Sequence, residues 1–194
     1  MFQSRIHGRG GQGVVTAAEL LSVAAFYDGK YAQAFPSFGS ERTGAPVVAY
    51  TRFDDKPIRL REPVLVPQAL IIQDPTLLHQ VDVFAGVGDD AYILINTKKT
   101  WEELGIESLE HSAFEYRRLT VPASDFAMMY VGRPLSNAAL LGGYAAATKQ
   151  VALESVVRAI EERFPAKIAE ANIQAAREAF DYVRAQKVEA MANA

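Results

Sequence analysis

A glycine-rich turn near the amino terminus constrains the fold of this 194-residue chain more than any other feature. Residues 2–6 suffice for a short strand, and residues 14–28 are small and apolar, as in a helix that is buried on several sides. The turn between them has Gly8, Gly10 and Gly13 in the G-x-G-x-x-G spacing. These glycines permit a tight turn, close approach of a ligand to the backbone, and close packing of helix on strand. We therefore expect a strand-turn-helix unit whose helix amino terminus can face an anion.

The residues beyond the turn do not complete a dinucleotide fingerprint. In dinucleotide enzymes an acidic residue ends the second strand, about 20 residues after the glycines, and binds a ribose hydroxyl. Here the second strand, near residues 30–34, runs directly into residues 35–37; Asp28 precedes it and Glu41 comes well after it. A stand-alone NAD(P)-binding enzyme is thus an alternative to a structural or interface use of the turn.

The rest of the chain alternates between strand and helix patterns. Residues 69–73 and 92–97 are continuous apolar runs, which are typical of buried parallel strands, and residues 115–121 alternate as a further strand. Helical patterns follow the first and last of these strands. This order predicts an α/β fold with a doubly wound, Rossmann-like, mostly parallel sheet and C-terminal helices.

We predict an antiparallel hairpin as an addition to this sheet. Residues 47–53 and 58–61 both alternate, and the segment between them reads as a turn. Arg52, Arg59 and Arg61 fall on outward positions of this hairpin, where they form either a basic patch or an ordinary solvated face.

Residues 35–46 form a long loop with two prolines and two glycines between predicted strands. Loops of this length in a compact domain are usually functional or disordered, and the aromatic and charged side chains argue against disorder. We expect an ordered surface that contacts another protein, although a loop that covers its own core is the simpler alternative. The predicted contact residues are Phe35, Pro36, Ser37, Phe38, Glu41 and Arg42.

The C-terminal part is predicted to be helical. Gly142 and Gly143 lie inside a helical pattern at 138–148, which indicates close approach of another backbone element. Two helical stripes separated by Pro165 follow, and we predict one domain over residues 1–184 with a frayed tail at 185–194.

Composition excludes several function classes. The chain has no cysteine, so it can form neither a disulfide nor a Cys-ligated iron–sulfur cluster, and it lacks a cysteine nucleophile. Its three histidines are far apart in sequence, and we predict no metal site. A net charge of −3 without a basic run argues against nucleic-acid binding. We find no membrane span or signal-peptide layout and expect a cytoplasmic protein.

The motifs together resemble the gamma subunit, or gamma domain, of the 2-oxoacid:ferredoxin oxidoreductases. The resemblance is carried by the segments at 5–13, 31–47, 73–78, 132–137 and 161–165, which extend over the whole chain. Pyruvate:ferredoxin oxidoreductase is the best-known member of this family.

The resemblance implies a subunit without catalytic residues in an enzyme that converts a 2-oxoacid and coenzyme A to acyl-CoA, CO₂ and a reduced acceptor. Thiamine diphosphate, Mg²⁺ and [4Fe-4S] clusters would be bound by partner subunits of the alpha, beta and delta types. Ferredoxin, or a flavin subunit, would accept the electrons. Pyruvate is the first choice of substrate; 2-oxoglutarate, branched-chain and aryl 2-oxoacids stay open.

Two roles within such a complex follow for this chain. The first is to complete the assembly, and the second is to form one wall of the coenzyme A entrance. Residues suited to an anion or coenzyme A contact are Gly8, Arg9, Gly10, Gly11, Gly13 and Arg42. A purely structural scaffold, in which the glycines serve packing alone, is the remaining alternative.

Overall fold

The computed structural model describes residues 1–37, 43–106 and 115–192 of the chain. This part contains six strands and five α-helices; after the first strand and the first helix, the other five strands precede the other four α-helices. The strands are β1 Phe2–Arg9, β2 Tyr31–Pro36, β3 Pro46–Asp54, β4 Ala69–Ile72, β5 Tyr92–Asn96 and β6 Arg118–Val121. The helices are α1 Val14–Tyr27, α2 Ala123–Val131, α3 Asn137–Thr148, α4 Leu153–Arg163 and α5 Ala166–Ala192, and short 3₁₀ turns span Pro75–His79 and Glu115–Arg117.

The strands form one mixed sheet in the order β2-β3-β1-β4-β5-β6. β1, β4, β5 and β6 are parallel neighbours, whereas β3 is antiparallel to both β1 and β2. The predicted α/β class with a parallel centre and an antiparallel addition is therefore confirmed.

The predicted hairpin at 47–61 is wrong, because residues 58–61 form no strand. β3 already has two strand partners, β2 and β1, so no edge is left for a third. Arg52 is also not on the surface: it is 2% exposed, and its guanidinium donates to Gln3 Oε1 at 2.8 Å and to the carbonyl of Glu62. The alternation placed Arg52 on the outer face of its strand, but it could not show that residues 62–68 cover this face.

All five helices contribute to one apolar core on one face of the sheet. α3 and α5 pack with their backbones close together, because a Cβ atom at Gly142 would lie 1.8 Å from the carbonyl oxygen of Ala176. The predicted close backbone approach is thus confirmed. α5 continues to Ala192, beyond the predicted start of the frayed tail, and Lys187 Nζ donates to the carbonyl of Ala147 at the end of α3. Residues 193 and 194 lie outside the described residues.

The second face of the sheet has a thinner cover. The segment from Pro75 to residue 106 buries a smaller apolar cluster there, which includes Leu77, Val83 and Trp101. Next to it, β1 directs polar side chains to this face: Arg5 Nη2 donates to the carbonyls of Val83 and Ala85, at 2.8 and 2.7 Å.

Candidate functional site

The glycine turn joins β1 to α1 at the carboxyl edge of the parallel strands. Gly8 is the last glycine inside β1, and a Cβ atom there would lie 2.5 Å from Val14 Cγ2, so its absence lets α1 begin directly over the strand. Gly13 precedes α1 with φ +74° and faces the start of α3, since a Cβ atom would lie 2.6 Å from Asn137 Nδ2. The turn therefore brings the amino termini of α1 and α3 together.

Several N–H groups of the turn are already engaged within the protein. The N–H of Arg9 donates to Gln12 Oε1 at 2.7 Å, that of Gly10 to the Ala45 carbonyl at 2.9 Å, and that of Gln12 to the Arg9 carbonyl at 3.0 Å. An anion at this place would consequently meet the first turn of α1, which no side chain caps, rather than the glycine N–H groups as a set.

Arg9 ties the turn to two other segments. Its Nε lies 3.0 Å from Asp74 Oδ2, Nη1 donates to the Gly44 carbonyl at 3.1 Å, and Nη2 donates to Thr76 Oγ1 and Gln80 Oε1, each at 2.7 Å. These bonds use four of the five guanidinium hydrogens. Arg9 thus positions the turn, with one hydrogen left for a ligand.

Asp74 is the acceptor at the centre of this network. Its carboxylate also receives hydrogen bonds from Gln12 Nε2 at 2.9 Å and from the N–H of Thr76 at 3.0 Å. Burial acts to raise the pKa of Asp74, but the bonds from Thr76 and Gln12 and the charge of Arg9 outweigh it and hold the pKa below its usual value. Asp74 is therefore ionised at neutral pH. From the sequence, Asp74 and Thr76 are readable only as a helix cap, so their link to Arg9 was missed.

A cavity of about 550 Å³ lies beside the turn. Members of both predicted sets line it, the glycine turn without Gly8 and two residues of the following loop, together with the first turn of α1 and the start of β3: Arg9, Gly10, Gly11, Gly13, Val14, Val15, Thr16, Pro36, Ser37 and Val47. Phe35 packs instead on its own sheet, with its ring 5.2 Å from that of Tyr50. Phe38, Glu41 and Arg42 lie outside the described residues.

The strand order separates this turn from a Rossmann dinucleotide site. In that fold the ribose-binding acid ends the strand next to β1. Here β1 has two neighbours: the antiparallel β3, whose first residue Pro46 stands opposite Arg9, and the parallel β4. The acid that follows β4, Asp74, is already bound by Arg9 and Gln12. β2 lies one strand further away, so the geometry does not favour NAD(P) binding.

Other features of the described residues do not compete with this site. A groove of about 670 Å³ at the far end of α1 is lined by Phe26, Tyr27 and Tyr31 and lies away from the turn. No cluster of three or more potential metal ligands occurs among the described residues. Within the same part of the chain, every helix is too short or too polar to cross a bilayer.

These features define a mixed α/β domain whose glycine turn borders a cavity and is held by a network of polar side chains. Residues 3–182 match the family described as pyruvate ferredoxin/flavodoxin oxidoreductase. The chain belongs to this family, as the motifs predicted.

Named relatives extend the similarity over nearly the full chain. The chain is 47% identical to the "Pyruvate/ketoisovalerate oxidoreductases common subunit gamma" of Pyrococcus abyssi, over 93% of this chain and 96% of that one. It is 52% identical to "Pyruvate synthase subunit PorC" of Methanosarcina barkeri, over 82% and 85% of the two chains. The crystal structure of pyruvate oxidoreductase subunit PORC from Thermotoga maritima superposes with a TM-score of 0.77 and 34% identity, over 93% and 95%. The chain is therefore a gamma-type subunit of an oxidoreductase of this family.

Proposed function

We propose that this gamma subunit serves a complex that converts pyruvate and coenzyme A to acetyl-CoA, CO₂ and a reduced acceptor. Family membership and the names of relatives from three organisms support pyruvate. The name of the Pyrococcus relative includes ketoisovalerate, which supports branched-chain 2-oxoacids as further substrates.

The cavity beside the glycine turn is the observation that carries the role of this chain. We propose that it receives phosphate groups of coenzyme A and forms one wall of the coenzyme A entrance. The open first turn of α1 supplies N–H groups and a positive dipole end. Arg9, whose charge is paired with Asp74, adds its one remaining guanidinium N–H. On the basis of the sequence alone, we include Arg42 as a second arginine that would contact the phosphates of coenzyme A.

The chemistry itself belongs to partner subunits in this proposal. A chain without cysteine cannot ligate a [4Fe-4S] cluster through thiolates, so alpha-, beta- and delta-type subunits would carry the clusters, thiamine diphosphate and Mg²⁺. Ferredoxin or a flavin subunit would accept the electrons, and the complex would work in the cytoplasm. A neighbouring subunit would be contacted by the loop residues Phe35, Pro36, Ser37, Phe38, Glu41 and Arg42.

Anaerobic affinity purification from the native cell tests the complex. We expect partner chains and a brown chromophore that a 2-oxoacid and coenzyme A bleach together. A colourless chain without partners would contradict the proposed function.

A charge placed in the cavity tests the coenzyme A contact. Thr16→Glu puts a carboxylate in the first turn of α1, where a negative charge does not destabilise the helix but repels a phosphate. In the assembled complex we expect the KM for coenzyme A to rise about tenfold or more, with kcat and the KM for pyruvate unchanged.

Ser22→Glu is the matched control, because it adds the same charge to α1 outside this cavity. Arg42→Ala provides an independent variant with the same expectation. Unchanged KM values for coenzyme A in both Thr16→Glu and Arg42→Ala, with intact assembly, would leave the scaffold role as the explanation of the turn.

A further inference from the structure

A second depression, of about 340 Å³, lies at the carboxyl ends of β4, β5 and β6. Gln12 separates it from the glycine-turn cavity, since its neighbours Gly11 and Gly13 line that cavity whereas Gln12 lines this one. We call it the amide crevice; polar side chains and prolines from five segments line it: Gln12, Gln73, Asp74, Pro75, Asn96, Thr97, Lys98, Pro122, Ser124, Asp125 and Pro134.

Gln73 is the unusual member of this lining. It is 3% exposed, and among the described residues neither its Nε2 nor its Oε1 has a hydrogen-bond partner. A buried carboxamide without partners is costly, and native proteins rarely retain one without a ligand, a water or another role. Because the side chain has no internal bond to break, it can turn toward a ligand without losing one.

The neighbouring polar groups are satisfied by one another. Asn96 Nδ2 donates to the Gln73 carbonyl and to Ser124 Oγ, both at 2.8 Å, and Asn96 Oδ1 accepts from the N–H of Ser124 at 3.0 Å. The next two N–H groups of α2, those of Asp125 and Phe126, donate to the Pro122 carbonyl. The start of α2 is therefore occupied and does not select an anion.

The charges around the crevice also cancel. Asp74 is paired with Arg9 at 3.0 Å, and Asp125 is paired with Lys98 at 2.9 Å. A phosphate or carboxylate would meet two carboxylates whose positive partners are already used. The crevice consequently favours an uncharged ligand that both donates and accepts hydrogen bonds.

We propose that the amide crevice binds the two amides of the pantetheine arm of coenzyme A, with Gln73 as the recognising side chain. Because the C=O and N–H of a trans amide point in opposite directions, the carbonyl of one amide accepts from Gln73 Nε2 and the N–H of the other donates to Oε1. The inference rests on the proposed function, since the phosphates of the same ligand would lie across Gln12 at the glycine turn.

The test uses the full-length chain and the two halves of the ligand separately. Side-chain amide signals of Gln73 and Asn96 are followed by ¹⁵N–¹H NMR during titration with pantetheine or with adenosine 3′,5′-bisphosphate. We expect pantetheine to shift the signals at the crevice, with saturation at millimolar concentration or below, and the bisphosphate to shift those of the glycine turn.

Gln73→Met removes the recognising groups at similar volume, and we expect it to weaken pantetheine binding at least tenfold while the melting temperature stays equal or rises. Gln150→Met, the same change outside the crevice, should leave binding unchanged. If Gln73→Met does not fold, Pro134→Phe, at an exposed position on the crevice lining, should block binding instead.

The two proposals fail separately. Absence of pantetheine shifts at the crevice, or shifts that Gln73→Met leaves intact, would overturn the amide crevice and leave a bound water as the partner of Gln73. Pantetheine binding without bisphosphate binding would uphold the crevice and contradict the phosphate contact at the turn.

Discussion

Replacing Gly142 with alanine should destabilise the protein even though alanine is the better helix former. The new Cβ would lie 1.8 Å from the carbonyl oxygen of Ala176 and 2.9 Å from its Cα. Since both contacts are to backbone, no side-chain rotation can relieve them. To reach a C···O distance of about 3.3 Å, α3 and α5 must separate by about 1.5 Å.

The magnitude follows from two opposing effects. Overpacking of this kind costs about 3 kcal/mol, whereas glycine to alanine in a helix gains about 1 kcal/mol. The net loss of about 2 kcal/mol in the free energy of unfolding corresponds to a melting temperature about 4–8 °C lower for a chain of this size. Circular dichroism during heating and urea denaturation measure both quantities.

Gly143→Ala is the matched control one position along α3. There the new Cβ would meet Leu94 Cδ2 at 3.2 Å and Val183 Cγ2 at 3.3 Å, and both are ends of side chains that can move. We expect a change within about 1 kcal/mol of zero. A melting temperature of Gly142→Ala at or above that of the unmodified protein would refute the reasoning.

Two further predictions concern titratable side chains, His7 on the second face and Asp74 at the turn. Burial, and then the charge of Arg5, lower the pKa of His7 from 6.5 to about 4. The unfolded chain therefore binds this proton more tightly than the folded protein does. The free energy of unfolding should fall by about 3 kcal/mol in all as pH drops from 6.5 toward 4. His7→Leu should remove this part of the pH dependence in urea denaturation at several pH values; an unchanged slope would contradict it. Asp74→Asn keeps the shape but loses the carboxylate that Arg9 binds, so it should cost about 1–2 kcal/mol at pH 7. Because the pKa of Asp74 lies below its usual 3.8, that difference should disappear as pH falls through the lowered pKa, and a difference that persists at lower pH would argue against the charge as its cause.

Local patterns predicted most of the secondary structure. α1 spans Val14–Tyr27 against a predicted 14–28, and β4 and β5 form from the two continuous apolar runs. These patterns succeed because the period of apolar residues along the chain directly reflects which backbone geometry can bury them. The predicted hairpin at 47–61 was wrong because an alternating pattern indicates a strand but does not identify the strand that pairs with it.

The structure places several of the predicted site residues beside one another, and their binding role stays a prediction. The glycine turn and residues 36 and 37 do line one cavity. The network around Asp74 could not be foreseen, because Arg9 and Asp74 are 65 positions apart and each has an adequate local explanation. No local pattern marked Gln73 as a binding residue, because a glutamine after a strand is common. Only the structure shows that its buried side-chain amide lacks hydrogen-bond partners among the described residues.

The sequence alone determined where most strands and helices form, the position of the glycine turn, and the lack of thiolates, which means that any cysteine-ligated cluster must be bound by a partner. Those properties depend on residue type and on neighbours within a few positions. Only the tertiary structure decided that β3 separates β1 from β2, that Arg52 is buried, and that two cavities flank Gln12. The physical reason is that strand order and the satisfaction of buried polar groups depend on contacts between residues distant in sequence, which no local period encodes.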